Sequence, residues 1–264
     1  MEENSLAQNQ TKDKPLYPDL IWSRPENKQH AGKLLIIGGN KFGFSLPAES
    51  YNEAEKAGAG SLRVIMPDSL RTLVSKIFPS ADFVSSNPSG GFSQGSIAEI
   101  LDQIMWANAT LLAGDFGHNS ETAIVIEKIL STKTPLTISG DSIDSFLLNP
   151  RHLMSRENTL IVTNFSKLQK ITTSLRLLKP LTMNMPIPLL IEAMSELTIK
   201  FPVSVALIHE NKVYVSYKGR VSVTSITKDA NIENKVASHA SVWLMQNPSK
   251  IYESISCSVI DFAI

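Results

Sequence analysis

The chain has 264 residues, with 25 basic against 25 acidic side chains, and 42% of it is hydrophobic. That length bounds it at one large α/β domain or two small ones and allows a substantial core. A formal net charge of zero gives no electrostatic reason to expect nucleic acid or an anionic membrane as a partner.

The one cysteine, Cys257, excludes an internal disulfide and fits a reducing cytoplasm. It lies in the apolar stretch SISCSVIDFAI, where packing is the expected role. The opening MEENSLAQNQTKDK lacks the basic start and apolar core of a signal peptide. No apolar run approaches the ~20 residues that a membrane helix needs. Residues 1–20 read as a mobile tail and residues 21–264, which contain no linker, as one domain.

Taken in order, short β-branched runs alternate with helical stretches. KLLIIGG (33–39) reads as a buried strand and PAESYNEAEKA (47–57) as a helix. GSLRVIMP (60–67) is a second strand, DSLRTLVSKI (68–77) a second helix. ATLLAG (109–114) and PLTISG (135–140) are strands on either side of the helix TAIVIEKIL (122–130), and TLIVT (159–163) is a further strand. The alternation implies a parallel sheet flanked by helices. PIPLLIEAMSELTIKF reads as a helix. VSVALI, KVYVSY and RVSVTSI are three strands joined by HENK and Lys218-Gly219, an antiparallel meander at the sheet edge. A last helix over 231–245 puts Ile232, Val236, Ala240 and Trp243 on one face.

In open α/β sheets, ligands bind outside the carboxyl ends of the strands. Gly38-Gly39-Asn40, Gly114-Asp115-Phe116-Gly117 and Gly140-Asp141 lie there. Such glycines either make a tight turn or let backbone amides approach a ligand. The dinucleotide fingerprint GxGxxG and the phosphate loop GxxxxGK[ST] are both absent. His30, His118, His152, His209 and His239 show no metal-ligand spacing, and no metal site is expected. His239 reads as a satisfied, half-buried histidine. Asp141 and Asp144 read as turn or cap carboxylates.

Together these stretches resemble a family, the ADP/ATP-dependent NAD(P)H-hydrate dehydratases. The anchor is HAGKLLIIGGNKFGFSLPAESYNEAEKAGAGSLRV, residues 30–64. It is similar to the family's HKG, GGS-x-x-Y-x-GA and GAG segments, without a gap from Ile37 to Gly60. LLAGDFG (111–117), ISGDSI (138–143), TLIVTNFSKL (159–168) and NIENKVASHASVWLMQ (231–246) resemble its PGLG, DAD, TPH and GTGD segments in the same order. The resemblance implies a ribokinase-like three-layer αβα sandwich, with a mostly parallel central sheet and a C-terminal antiparallel edge. It also implies dehydration of hydrated NADH or NADPH driven by ADP or ATP, with or without Mg, and self-association into a homo-oligomer.

The family's functional positions fall on altered residues. The base of GTGD aligns with Asn234, an amide that takes no proton at neutral pH. The glycine before it aligns with Glu233, and two like charges ~4 Å apart cost about 4 kcal/mol at an effective dielectric of ~20. The nucleotide-site lysine, glycine and threonine align with Ile208, His209 and Lys212. The histidine of TPH aligns with Phe165. The glycine and alanine of Y-x-GA align with Ser45 and Leu46. Gly117 and Asp141 are retained, beside the Gly38-Gly39-Asn40 turn. Asp229 could replace the base if the last helix began about five residues earlier; otherwise it is an N-cap. Three readings follow. One is a dehydratase with weak or lost catalysis, a pseudoenzyme candidate. The second is a non-catalytic regulatory or assembly subunit on the same fold. The third is a small-molecule kinase of the same superfamily.

Overall fold

A computed structural model describes residues 7–147, 149–176 and 181–264. In chain order the strands are β1 (Gln8–Gln10), β2 (Lys33–Ile37), β3 (Ser61–Pro67), β4 (Ala81–Val84), β5 (Ala109–Leu112), β6 (Leu136–Ser139), β7 (Thr159–Asn164), β8 (Ser204–His209), β9 (Lys212–Tyr217) and β10 (Arg220–Ser225). The helices are α1 (Pro18–Trp22), α2 (Ser45–Lys56), α3 (Arg71–Val74), α4 (Ile97–Trp106), α5 (Ser120–Leu130), α6 (Pro150–Met154), α7 (Phe165–Ser174), α8 (Ile187–Lys200), α9 (Ile232–Gln246) and α10 (Ile251–Ser258).

The strands make one ten-stranded sheet in the order β1-β10-β9-β8-β7-β6-β5-β2-β3-β4. From β4 to β8 every pairing is parallel; β8, β9 and β10 pair antiparallel. Alternation along each inner strand sends side chains to two faces, and both faces are buried. Leu35 and Ile37 join the core under α4, α5, α7 and α8, whereas Leu34 and Ile36 join the core under α2, α9 and α10. The result is a three-layer αβα sandwich.

The expected helix over 68–77 is shorter: a 3-10 turn at Asp68–Leu70 leads into the four residues of α3. The expected mobile tail is corrected more substantially. Within it, residues 1–6 lie outside the described residues, but Gln8–Gln10 is strand β1, parallel to β10. The Gln10 amide donates to Thr224 Oγ1 (2.7 Å) and to the Ser256 carbonyl (2.8 Å). Leu20 of α1 packs with Trp243 and Cys257. An unpaired β10 would expose a row of backbone donors and acceptors, and β1 covers it.

Candidate functional site

Chain order within the sheet reverses at β2. The chain runs from β2 outward to β3 and β4, then returns to β5 on the other side of β2. The crevice at the carboxyl ends of β2 and β5 is therefore a topological switch point, the usual ligand position in such sheets. Gly38-Gly39-Asn40 leaves β2 on one side of it, and Ala113 to Gly117 leave β5 on the other.

These glycines are held by packing and backbone shape. A Cβ on Gly38 would sit 1.8 Å from the Ala113 carbonyl oxygen, and Gly39 has φ +88°. Asn40 is buried; its Nδ2 donates to the Asp115 carbonyl (2.9 Å) and its Oδ1 accepts from the Phe42 amide (2.7 Å). The Gly117 amide donates to Asp115 Oδ1 (2.7 Å). The backbone donors that the glycine pattern brings to the crevice are thus partly engaged by the protein's own side chains.

Next to this crevice lies a cavity of about 230 Å³. It brings together Leu46 at the start of α2, Gly114, Gly140 and Asp141 after β6, and Glu233 and Asn234 in the first turn of α9. Asn234 is 6% exposed. Its Oδ1 accepts from Ser50 Oγ (2.7 Å) and its Nδ2 donates to the Leu46 carbonyl (3.5 Å), so it ties α9 to α2. Glu233 Oε1 accepts from Asn164 Nδ2 (2.9 Å). Burial pushes the Glu233 carboxyl above its ordinary pKa, against the smaller opposing effects of Asn164 and Lys167.

The remaining aligned residues stand beside the cavity rather than in its wall. Phe165 is buried at the head of α7 and packs against the His209 ring at a tilt of 36°, with ring centroids 4.8 Å apart. Ile208 packs against the core beneath α9, and Lys212 opens β9 opposite His209. Asp229 lies three residues before α9, which starts at Ile232. Its carboxylate accepts from Lys235 Nζ (2.6 Å) and from the Asn231 amide (2.9 Å), and these bonds hold its pKa below the usual value.

Sequence reading passed over two residues that organise the cavity wall. Asn164 caps α7 by accepting from the Lys167 amide (3.1 Å) while it donates to Glu233. Lys167 Nζ reaches Asp141 Oδ1 (2.7 Å) and Asp144 Oδ2 (3.4 Å). The signal was an asparagine closing an apolar strand, with lysine at the third helical position. Among the described residues, no group of three or more His, Cys, Asp or Glu could hold a metal ion. No helix in them is long and apolar enough to cross a membrane. His239 is more buried than expected. It lies between Asp261 Oδ2 (3.0 Å from Nδ1) and Glu53 Oε2 (3.4 Å from Nε2), away from the cavity wall.

A sheet of this order, with its switch-point cleft walled by the first turn of a long inner helix, defines the ribokinase-like class. A ribokinase-like superfamily protein from Enterococcus faecalis superposes with a TM-score of 0.74 at 16% identity, covering 97% of this chain and 86% of that one. The ADP/ATP-dependent NAD(P)H-hydrate dehydratase of Bacillus subtilis, co-crystallised with ATP and Mg²⁺, superposes with a TM-score of 0.63 at 11% identity, covering 93% of this chain and 86% of that one. In sequence, the bifunctional NAD(P)H-hydrate repair enzyme of Thermosynechococcus vestitus is 26% identical over 147 residues, 55% of this chain and 28% of that enzyme. No protein-family model matches the chain. The protein thus has a ribokinase-like fold, and within that class its resemblance runs to the NAD(P)H-hydrate dehydratases.

Proposed function

We propose that this protein is an NAD(P)H-hydrate dehydratase-like protein whose own catalysis is weak or lost. The observation that carries the reading is Asn234. A base for phosphoryl-assisted dehydration must take a proton from a substrate hydroxyl. An amide takes none at neutral pH, and this one spends both ends on Ser50 and Leu46. Asp229 does not supply the missing carboxylate, because it is paired with Lys235 outside the cavity wall.

The first turn of α9 does not suit a polyphosphate. Bare backbone amides at a helix start attract phosphate oxygens. Here the Glu233 carboxyl stands in that turn, and Asp141 shares the same wall. What the fold retains is a small polar cavity that suits an uncharged or hydrogen-bond-donating group.

The test is conversion of hydrated NADH to NADH by purified protein with ATP or ADP and Mg²⁺. The expected result is a rate equal to the spontaneous one. ATP-dependent turnover above that rate would overturn the reading. ATP is also expected to leave the melting temperature unchanged, whereas a ligand at 100 times its Kd would add ~2.7 kcal/mol. A second reading, a non-catalytic regulatory or assembly subunit, draws on the same Asn234 and Glu233. Recovery of one defined partner, bound stoichiometrically, would favour it.

A further inference from the structure

A second cavity, of about 160 Å³, opens at the opposite end of the sheet. It lies between the amino ends of β5 to β8 and the C-terminal half of α9. Ala109, Thr137 and Ser204 form its floor on the sheet, Ser241 and Leu244 of α9 its roof, and Tyr217 one side. The space exists because Ala109, Ser204 and Ser241 are small where a helix and a sheet ordinarily interdigitate. No charged side chain lines it, so a phosphate or carboxylate would enter without a counter-ion.

Its hydroxyls divide into two kinds. Ser204 Oγ donates to the Thr159 carbonyl (3.0 Å), and Ser241 Oγ donates to the Ala237 carbonyl (2.7 Å), so both are engaged. Thr137 is 3% exposed. It alternates with Leu136 and Ile138, which face the core under the opposite layer, so its side chain faces α9. Its hydroxyl has no hydrogen-bond partner among the described residues. Buried polar groups are seldom left unpaired, and one that opens onto a cavity points to an occupant. Apolar cavities near 150 Å³ hold a benzene-sized molecule.

We propose that this cavity binds a small, uncharged, planar ring bearing one hydroxyl or amino group, seated between Leu244 and the sheet and hydrogen-bonded to Thr137. The site is separate from the cleft at the carboxyl ends of the strands, and it stands or falls independently of any dehydratase chemistry there.

The test is titration of the full chain, with labelled Leu and Ile methyls, by phenol, by benzene and by glucose. Phenol and benzene are expected to give saturable NMR shifts at Leu244, and glucose none. Filling the space from the roof with Ser241→Leu should abolish the shifts. Ala109→Leu fills it from the floor and serves if the first variant fails to fold. Thr137→Val keeps the shape and removes the hydroxyl, so phenol affinity should fall about tenfold while benzene affinity stays unchanged. The absence of saturable shifts with phenol, or shifts that survive the filling variants, would overturn the site. Equal phenol affinity in Thr137→Val would overturn the assigned ligand class.

Discussion

At the scale of single residues, Gly38 and Asn234 say the most. Gly38 allows β2 and the segment after β5 to meet at the switch point. Adding one methyl places it 1.8 Å from a backbone oxygen, which cannot swing aside. Gly38→Ala is expected to destabilise by about 3 kcal/mol or more, read by denaturant unfolding, without any ligand present. Asn234→Asp tests the other residue. The carboxylate would face the Leu46 carbonyl, remove the side-chain donor that the carbonyl receives from α9, and remain almost fully buried. We expect a loss of about 1–3 kcal/mol and no dehydratase activity, because Glu233 is still present. Cys257 belongs to this scale too. Burial pushes its thiol up to about 12, and its Sγ lies against the Tyr17 carbonyl. It should react with iodoacetamide only as fast as the native state opens.

At the scale of elements, α9 is the organising piece, and its first turn has an electrostatic conflict. The helix dipole favours a carboxylate there, while burial opposes its charge and raises its pKa. A raised carboxyl binds its proton more tightly in the folded state. The contribution of Glu233 to stability therefore falls as pH rises from the ordinary carboxylate range through the folded value. Glu233→Gln keeps the acceptor for Asn164 and removes that fall. Its Tm should match the wild type at low pH and exceed it at pH 7, where about 1 kcal/mol corresponds to ~2–4 °C in a chain of this size. The other end of the pattern is the C-terminal segment. Burial raises the Asp261 carboxyl, but the hydrogen bond and charge of His239 outweigh it and hold the pKa down. That contribution is present above the ordinary carboxylate range and lost as pH falls through the lowered value. Asp261→Asn should cost about 1 kcal/mol at pH 7, after solvent screening of a side chain that is 41% exposed, with the deficit closing in acid.

At the scale of the whole molecule, the legible parts were those with strong periodicity. Strands β2, β3, β5, β6, β7 and the β8–β10 meander carry runs of Val, Ile and Leu, so their existence, the parallel sheet and its antiparallel edge could be read. β1 could not. QNQ has no apolar side, because an edge strand is specified by its partner's backbone and by the Gln10 amide. α10 was hidden by serines, which pack its small-residue face against β9 and β10; Ser256 Oγ lies 2.9 Å from Ser222 Oγ. The cavity wall was half legible. The glycine after β6 marked Asp141, and the resemblance to the GTGD segment marked Glu233 and Asn234, but the Asn164–Lys167 pair depends on a helix cap that periodicity does not encode.

The pairing of β1 with β10 has a kinetic consequence. Gln8 faces Ser222 and Gln10 faces Thr224, partners separated by more than two hundred residues of chain. During synthesis β1 emerges well before its partner and must wait, unpaired, until the antiparallel hairpin of β9 and β10 has followed. Contacts so distant in sequence carry the largest loop-closure cost and form late. In pulse-labelled hydrogen exchange during refolding, the β1 amides should gain protection after those of β2, β5 and β6. β1 would then be the strand that finishes the sheet.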